Sequence, residues 1–406
     1  METKPAYLTN HTALRGIAAL LVVVFHANAG FVPFIKDETT FWFHKLYVMV
    51  DLFFVLSGFI LCYVYGAEFQ DERLRGRTRR FLLARLARIY PLHLATLLVC
   101  VAVALVTWGL GKYAWLGEVG GRVMDFRAIP SQLLLLHAMH LNPIFTWDVP
   151  SWSISAEWGA YLLFPVLVRP FARAGLPATL LVMAAVFGGY ALLIFYIGPN
   201  KAVLYPFLKT GATLDLTYDW GFARGLLGFT LGMATYRLYR QNCLRASLAR
   251  SWVVVALVIA YSVCAHFNLS DLAMPVFFLL LVLATAYGSA GLNAALDQPV
   301  FQKLGLWSYS IYMWHSVLYL VVLNVGVWRR PTAPVEGPPG PPNYFGLTNT
   351  WAILSIYLVL SLVLGYLSYT YLEVPSRRWL NRLARPRNTA PDLLPSTPAL
   401  PSPSTP

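Results

Sequence analysis

Two residues of the first apolar stretch raise the chemical question. Arg15 and His26 stand eleven residues apart. On a helix, eleven steps turn the chain to within about 20° of its start and raise it about 16 Å. Both side chains therefore project from one face, a cation near one end and an imidazole well inside the apolar run. Imidazole accepts a proton near neutral pH without help from its surroundings, so His26 is a candidate general base. A cation at the mouth of the same face suits an anionic partner that presents its reactive end to that base. The same spacing also serves a charged end anchor and a hydrogen-bonded contact between helices, and spacing alone does not separate the two readings.

Further polar groups within apolar stretches are Asp51, His93, Glu157, Arg224 and His315. An Asp, Lys or Arg at the centre of a bilayer costs roughly 2.5–3.5 kcal/mol, so such groups face a partner or a cavity. Ser153, Glu157 and Tyr161 recur at i, i+4 and i+8, while Ser308, Tyr312 and His315 recur at i, i+4 and i+7. Each set draws one polar stripe on a helix. Two stripes predict a wet or hydrogen-bonded interior, which a purely structural network would also explain. Asp51 and Arg224 are candidate charge partners across the bundle.

Arg77, Arg80, Arg85 and Arg88 recur at spacings of three to five ahead of another apolar stretch. Guanidinium forks grip phosphate oxygens in pairs, which suits a phosphorylated donor such as coenzyme A. Lipid headgroup contacts at a basic helix end fit the same residues. His137 and His140 are spaced i, i+3. No further ligand lies near in sequence to complete a shell, so an interfacial pair is expected, not a metal site. His93, beside Pro91, is likewise expected at the interface. The four cysteines lie scattered in or beside apolar runs and read as small packing residues. No G-x-S-x-G elbow, Gly-rich phosphate loop or CxxC pair is present.

These groups need elements to hold them, and composition says what those are. Of 406 residues 58% are hydrophobic and 12% charged. Soluble domains carry about a quarter charged residues, and a soluble core stops growing near roughly 250–300 residues, so the solvent is a bilayer. Ten apolar stretches, near 13–32, 46–65, 89–109, 152–168, 176–197, 220–236, 251–267, 271–289, 304–327 and 349–371, approach the length that spans hydrocarbon. With the N-terminus in the cytosol, 21 basic residues fall on the cytosolic side and nine on the far side, Arg224 lying within a span. That asymmetry predicts an all-α, polytopic transmembrane bundle of about ten spans with both termini cytosolic. The net charge of +13 is then a consequence of topology, and nucleic acid is not an expected partner.

Residues 1–380 are expected to form one membrane domain and 381–406 a disordered cytosolic tail rich in Pro, Ser and Thr. Within the long segment Gly111 to Pro150, the apolar run Ser131 to Trp147 is expected to be an interfacial or re-entrant helix. A Pro/Gly-rich loop is expected from Arg330 to Pro342. The start of the chain imitates a signal peptide, with Lys4 and Arg15, an apolar run and Ala27-Asn28-Ala29. Because the apolar run continues through Phe31 and Phe34, an uncleaved first span is expected. The residues alone leave three classes open: an enzyme, a transporter or flippase for a lipid-linked sugar, and a scaffold. A transporter more often shows matched repeats and broken helices, and neither is seen here.

The ordered segments LRGIAALLVVVFHA (14–27), VDLFFVLSGFIL (50–61), RRFLLARLARIYPLH (79–93), SWSISAEWGAYLLFP (151–165), RGLLGFTLGM (224–233), LGLWSYSIYMWHSVL (304–318) and YLEVPSRRWL (371–380) resemble the integral-membrane acyltransferase family 3. The resemblance implies O-acylation of polysaccharides, lipid-linked sugars, antibiotics and related acceptors at a bacterial inner (plasma) membrane. It places the family's proposed catalytic base on His26 and its R-x-x-R donor element on Arg85 and Arg88. Its acidic residue falls on Glu157 and its E-x-P element on Glu373 and Pro375. The appended esterase-like domain of larger members is not expected. The expected mechanism docks acyl-CoA phosphates on Arg15, Arg85 and Arg88, with Arg80 beside them. His26 then deprotonates the acceptor hydroxyl, Glu157 or Asp51 orienting the imidazole, and Ser153, Arg224, Tyr312, His315 and Glu373 complete the polar interior.

Overall fold

A computed structural model of the chain describes residues 7–31, 35, 38–70, 74–201, 211–328 and 349–383. Lys4, the Arg330–Pro342 loop and the tail from Ala384 lie outside the described residues. Those described form helices joined by turns, with no strand among them. Eleven helices matter here: α1 (Thr9–His26), α2 (Met49–Tyr65), α3 (Leu74–Gly109), α4 (Trp152–Arg173), α5 (Leu176–Leu192), α6 (Gly221–Arg240), α7 (Ser251–His266), α8 (Ala273–Tyr287), α9 (Pro299–Trp328), α10 (Thr350–Ser368) and α11 (Val374–Leu383).

Six helical stretches among the described residues are long and apolar enough to cross a bilayer: Thr9–Ala29, His44–Tyr65, Gly76–Gly109, Leu176–Asn200, Pro299–Trp328 and Thr350–Leu383. A seventh is added if α8 and the short helix Ala290–Leu296, bent by 100°, count as one. The remaining expected spans are helical but differ in kind. Helix α7 has 16 residues, and α4 and α6 carry Glu157 and Arg224 in their interiors. Large apolar side chains stay exposed on many helices, such as Leu181, Val166 and Trp252, as expected where lipid is the neighbour. The fold is that of a multi-pass helical membrane protein.

Two close helix pairs form its centre. Helix α2 packs along α6, and α1 along α9. Each contact is made of glycine. A side-chain carbon on Gly58 would strike the Phe229 carbonyl, and one on Gly232 the Val55 carbonyl. On Gly16 it would stand 2.6 Å from the Gly305 backbone nitrogen. Small residues let backbones approach where lipid offers no hydrophobic drive to association. The close approach in turn brings the polar stripes of facing helices within hydrogen-bond reach.

The segment between α3 and α4 departs from expectation. Its helices are the short Gly117–Val123 and Ile129–Leu133, and from residue 134 to 148 the chain is irregular. Leu135, His140 and Trp147 adopt positive φ there, which a continuous helix does not allow. This buried backbone has specific partners. Ser155 Oγ donates to the Leu135 carbonyl and accepts from the Ala138 amide (2.7 and 3.1 Å). The Ala138 carbonyl accepts from the Phe222 amide, and the His140 amide donates to the Tyr218 carbonyl. The segment is a packed plug at one end of the bundle, tied to α4 and to the loop before α6.

Candidate active site

Two cavities enter the bundle from opposite ends. The first holds Arg15 from α1, Arg85 and Arg88 from α3, and Ser57, Glu157 and Ser308. It presents three guanidinium groups against one carboxylate. The second holds His26, at the far end of α1, together with Tyr47, Trp152, Lys201, Asp215 and Tyr218. Val50 and Tyr312 line both. The shared face of Arg15 and His26 is therefore real, but a wall divides it.

Tyr312 holds the wall shut by its hydroxyl. That oxygen lies 2.7 Å from Ser153 Oγ, and both hydroxyls reach the Pro150 carbonyl, at 2.9 and 3.0 Å. The two polar stripes read in the sequence thus face each other, Ser153 meeting Tyr312 across α4 and α9. Lower on α4, Glu157 accepts from Ser57 Oγ (2.8 Å) and from the Tyr161 hydroxyl (2.5 Å).

His26 is half-buried. Its Nδ1 lies 3.0 Å from the Val22 carbonyl and 3.2 Å from His315 Nε2. The fully buried His315 has its own Nδ1 2.5 Å from the Tyr312 carbonyl, and its backbone carbonyl accepts from the Tyr357 hydroxyl (2.9 Å). Neither Asp51 nor Glu157 is a hydrogen-bond partner of His26, so their expected role as imidazole orienters is not what this geometry gives. Asp51 is taken by Arg224, whose Nε and Nη2 bind Oδ1 and Oδ2 at 2.9 and 2.6 Å. That guanidinium also donates to the Leu216 and Tyr47 carbonyls and lies over Trp152. The pair is buried and saturated, a brace between α2 and α6. Glu157 belongs to the arginine cavity.

The arginines divide as well. Arg85 donates to the Tyr65 hydroxyl (3.0 Å) and lies over that ring. Arg88 forms an ion pair with Glu373, which also accepts from Ser310 Oγ (2.9 Å), and lies over Tyr309. Glu373 of the E-x-P element therefore ties α3 to α9 and to the turn before α11. Arg15, Arg85 and Arg377 all stand within electrostatic reach of Arg88. Arg80 is exposed and does not line the cavity, because it precedes the part of α3 that enters the bundle. His93 is buried rather than interfacial. It stacks on His137, ring centroids 5.6 Å apart, and its Nε2 reaches the Gln132 carbonyl at 3.0 Å. Burial first, and His93 second, push His137 down to about 3, so it is a neutral packed ring hydrogen-bonded to Ser151.

The structure adds two groups that motif reading missed. Asp215 lines the His26 cavity and reaches His26 electrostatically. Lys201 lies beside it, donating to the Asp215 carbonyl (3.0 Å) and pairing with Asp219 (3.4 Å). A signal existed. In Leu214-Asp215-Leu216-Thr217 polar and apolar residues alternate, and the two leucines are buried while Asp215 and Thr217 line the cavity.

The fold is a multi-pass helical bundle whose arginine cavity and imidazole cavity meet at one wall, and sequence comparison gives its class. Residues 11–370 match the acyltransferase family 3 model, described as an acyltransferase domain. The chain belongs to that family. It is 28% identical over 414 aligned residues to the acyltransferase MdmB of Streptomyces mycarofaciens, covering 97% of each chain. Protein 2 in the picA locus of Rhizobium radiobacter is 33% identical over 42% of this chain and 86% of its own. The O-acetyltransferase OatA of Staphylococcus aureus is 21% identical over 92% of this chain and 58% of its own. No solved structure matches. The protein is an acyltransferase moving groups other than aminoacyl groups.

Proposed function

We propose that the protein moves an acyl group, acetyl in the simplest case, from cytosolic acyl-CoA to a hydroxyl of a carbohydrate or related acceptor, with His26 as general base. The observation that supports this reading is the pair of cavities that share Tyr312 and Val50. Phosphates dock on Arg15, Arg85 and Arg88, and the thioester arm passes the Tyr312 wall toward His26. The acceptor enters the opposite cavity, where the Asp215 carboxylate and the aromatic faces of Trp152 and Tyr218 suit a hydroxylated ring. The asymmetry of basic residues supports about ten crossings with both termini cytosolic, six or seven of them by helices among the described residues that are long and apolar enough on their own. The membrane we propose is a bacterial inner membrane.

In the reaction the acceptor oxygen attacks the thioester carbonyl while His26 takes its proton. The C–S bond breaks, and the proton passes from His26 to the departing thiolate. Transfer is taken as direct: no cysteine lines either cavity among the described residues, and the lining serines Ser57, Ser153 and Ser308 donate to Glu157 and to the Pro150 and Gly305 carbonyls, none of them to a histidine base. The test supplies labelled acetyl-CoA and a panel of hydroxylated acceptors to reconstituted vesicles. Label on an acceptor is expected with wild type, and His26→Ala should lower turnover by roughly 10²–10⁴-fold, the usual contribution of a general base. Full transfer by the variant would remove His26 from the mechanism. Movement of a lipid-linked sugar without transfer would revive the flippase reading. An acyl-enzyme trapped by mass spectrometry would end direct transfer.

A further inference from the structure

The ring nitrogens of His26 and His315 carry more information than their proximity. A carbonyl oxygen can only accept, so His315 Nδ1, 2.5 Å from the Tyr312 carbonyl, must carry hydrogen. With its ring neutral, His315 Nε2 then has a lone pair and no hydrogen. His26 Nδ1 faces that lone pair at 3.2 Å and the Val22 carbonyl at 3.0 Å, two acceptors and no donor. Its hydrogen must therefore lie on Nδ1, shared between them. His26 Nε2 is left without hydrogen and without a hydrogen-bond partner among the described residues, on a ring that lines the cavity with Asp215.

From this chain of acceptors we infer that His315 is the positioning residue of the reaction: together with the Val22 carbonyl it holds His26 as the Nδ1–H tautomer, and it faces the charge that forms when Nε2 takes the acceptor's proton. The inference rests on the reading of His26 as base. It replaces the carboxylate usually found behind a catalytic imidazole with a second imidazole, and the surroundings show why it stays in place. His315 is held at three points: its Nδ1 by Tyr312, its carbonyl by Tyr357, and its helix by the Gly16–Gly305 contact that sets the spacing of α1 and α9. Because Tyr312 both anchors His315 and walls the two cavities, the base and the wall share one turn of α9. During turnover the cation is transient. The proton gained at Nε2 leaves with the thiolate, and both rings return to neutral.

The test reads the ring directly. Protein labelled with ¹⁵N-histidine and reconstituted in lipid gives ring nitrogen spectra in which the His26 signals are those lost in His26→Ala. Wild type should show a hydrogen on Nδ1 and a bare Nε2. His315→Leu removes one of the two acceptors and leaves the Val22 carbonyl, so the Nδ1 preference should weaken and part of the hydrogen should appear on Nε2. Its kcat should fall roughly ten- to a hundredfold with the KM for acetyl-CoA unchanged. His315→Gln, whose amide oxygen can accept in the same place, should restore most of both. A wild-type His26 carrying hydrogen on Nε2 would overturn the inference, and so would a His315→Leu protein with unaltered kcat and spectrum. Should His315→Leu fail to fold, the wild-type spectrum and His315→Gln still decide. The two readings fail separately: transfer surviving His26→Ala removes the base, whereas the tautomer and its response to His315 stand or fall on the spectra.

Discussion

A charge held in apolar surroundings survives only beside its counter-charge, and Arg224 with Asp51 shows the consequence at the scale of a residue. The pair is buried and doubly hydrogen-bonded, and it shares no hydrogen bond with His26, although Arg224 lines the same cavity. Asp51→Ala leaves a guanidinium without its carboxylate and should cost about 3–5 kcal/mol, seen as a large drop in the melting temperature of the purified protein. Asp51→Leu with Arg224→Met should recover much of that loss, because removing both charges removes the desolvation cost. A double variant as unstable as Asp51→Ala would show that the charges do more than brace. Asp148, in the segment before α4, makes the opposite case. Both its oxygens lack a hydrogen bond of ordinary geometry, and burial pushes its carboxyl up to about 7, the hydroxyls of Thr96 and Ser316 offsetting this in part. Since the folded state keeps a proton that the unfolded chain releases near the usual 3.8, stability should fall as pH rises from about 4 to about 7 and then level. Asp148→Asn should flatten that slope. An unchanged slope in thermal melts across this range would rule Asp148 out as its source.

Helices carry the polar groups to one another, and here spacing along the chain told only part of the arrangement. Periodicity marked the stripes on α4 and α9 and the shared face of Arg15 and His26, because a helical face is a local property of sequence. What a stripe meets is not local. Glu157 was expected behind His26 and instead accepts from Ser57 and Tyr161, whereas His315 holds that place because α1 and α9 touch through glycine. The plug from residue 134 to 148 was read as a helix since its composition is apolar. Its fold depends on partners in α4 and before α6 that no local pattern names. The glycine contact is testable at this scale. Gly305→Ala puts a methyl against the Thr12 carbonyl and should push α9 from α1, lowering melting temperature and abolishing transfer. Gly326→Ala, on the same helix with open space around it, should be neutral or stabilising by about 0.5–1 kcal/mol. Equal effects of the two would mean that helix propensity, not the close approach, governs α9.

Across the whole molecule the proposed mechanism divides donor and acceptor between the two faces of the membrane, and this division has a measurable sense. The arginine cavity opens at the end of the bundle where Arg169, Arg237 and Arg240 close α4 and α6, and the His26 cavity opens beside the plug. Under the proposed mechanism the donor is coenzyme A, which is too highly charged to cross hydrocarbon, and the face that presents the guanidinium groups is where it would be taken up. In sealed vesicles, a cysteine placed at Gln241, in the turn after α6, should react with a membrane-impermeant maleimide from the cytosolic side. One placed at the exposed Leu141 should react from the other. The native Cys243 and Cys264 are replaced beforehand, since both are partly exposed. Inverted vesicles should use external acetyl-CoA, and right-side-out vesicles should not. If the maleimide pattern holds but right-side-out vesicles consume external acetyl-CoA, the donor enters by the His26 cavity and the arginines serve lipid. If the pattern itself reverses, the basic asymmetry has been read the wrong way round and the two faces exchange roles. With both results as expected, the acyl group crosses at Tyr312 while coenzyme A stays on the side it came from.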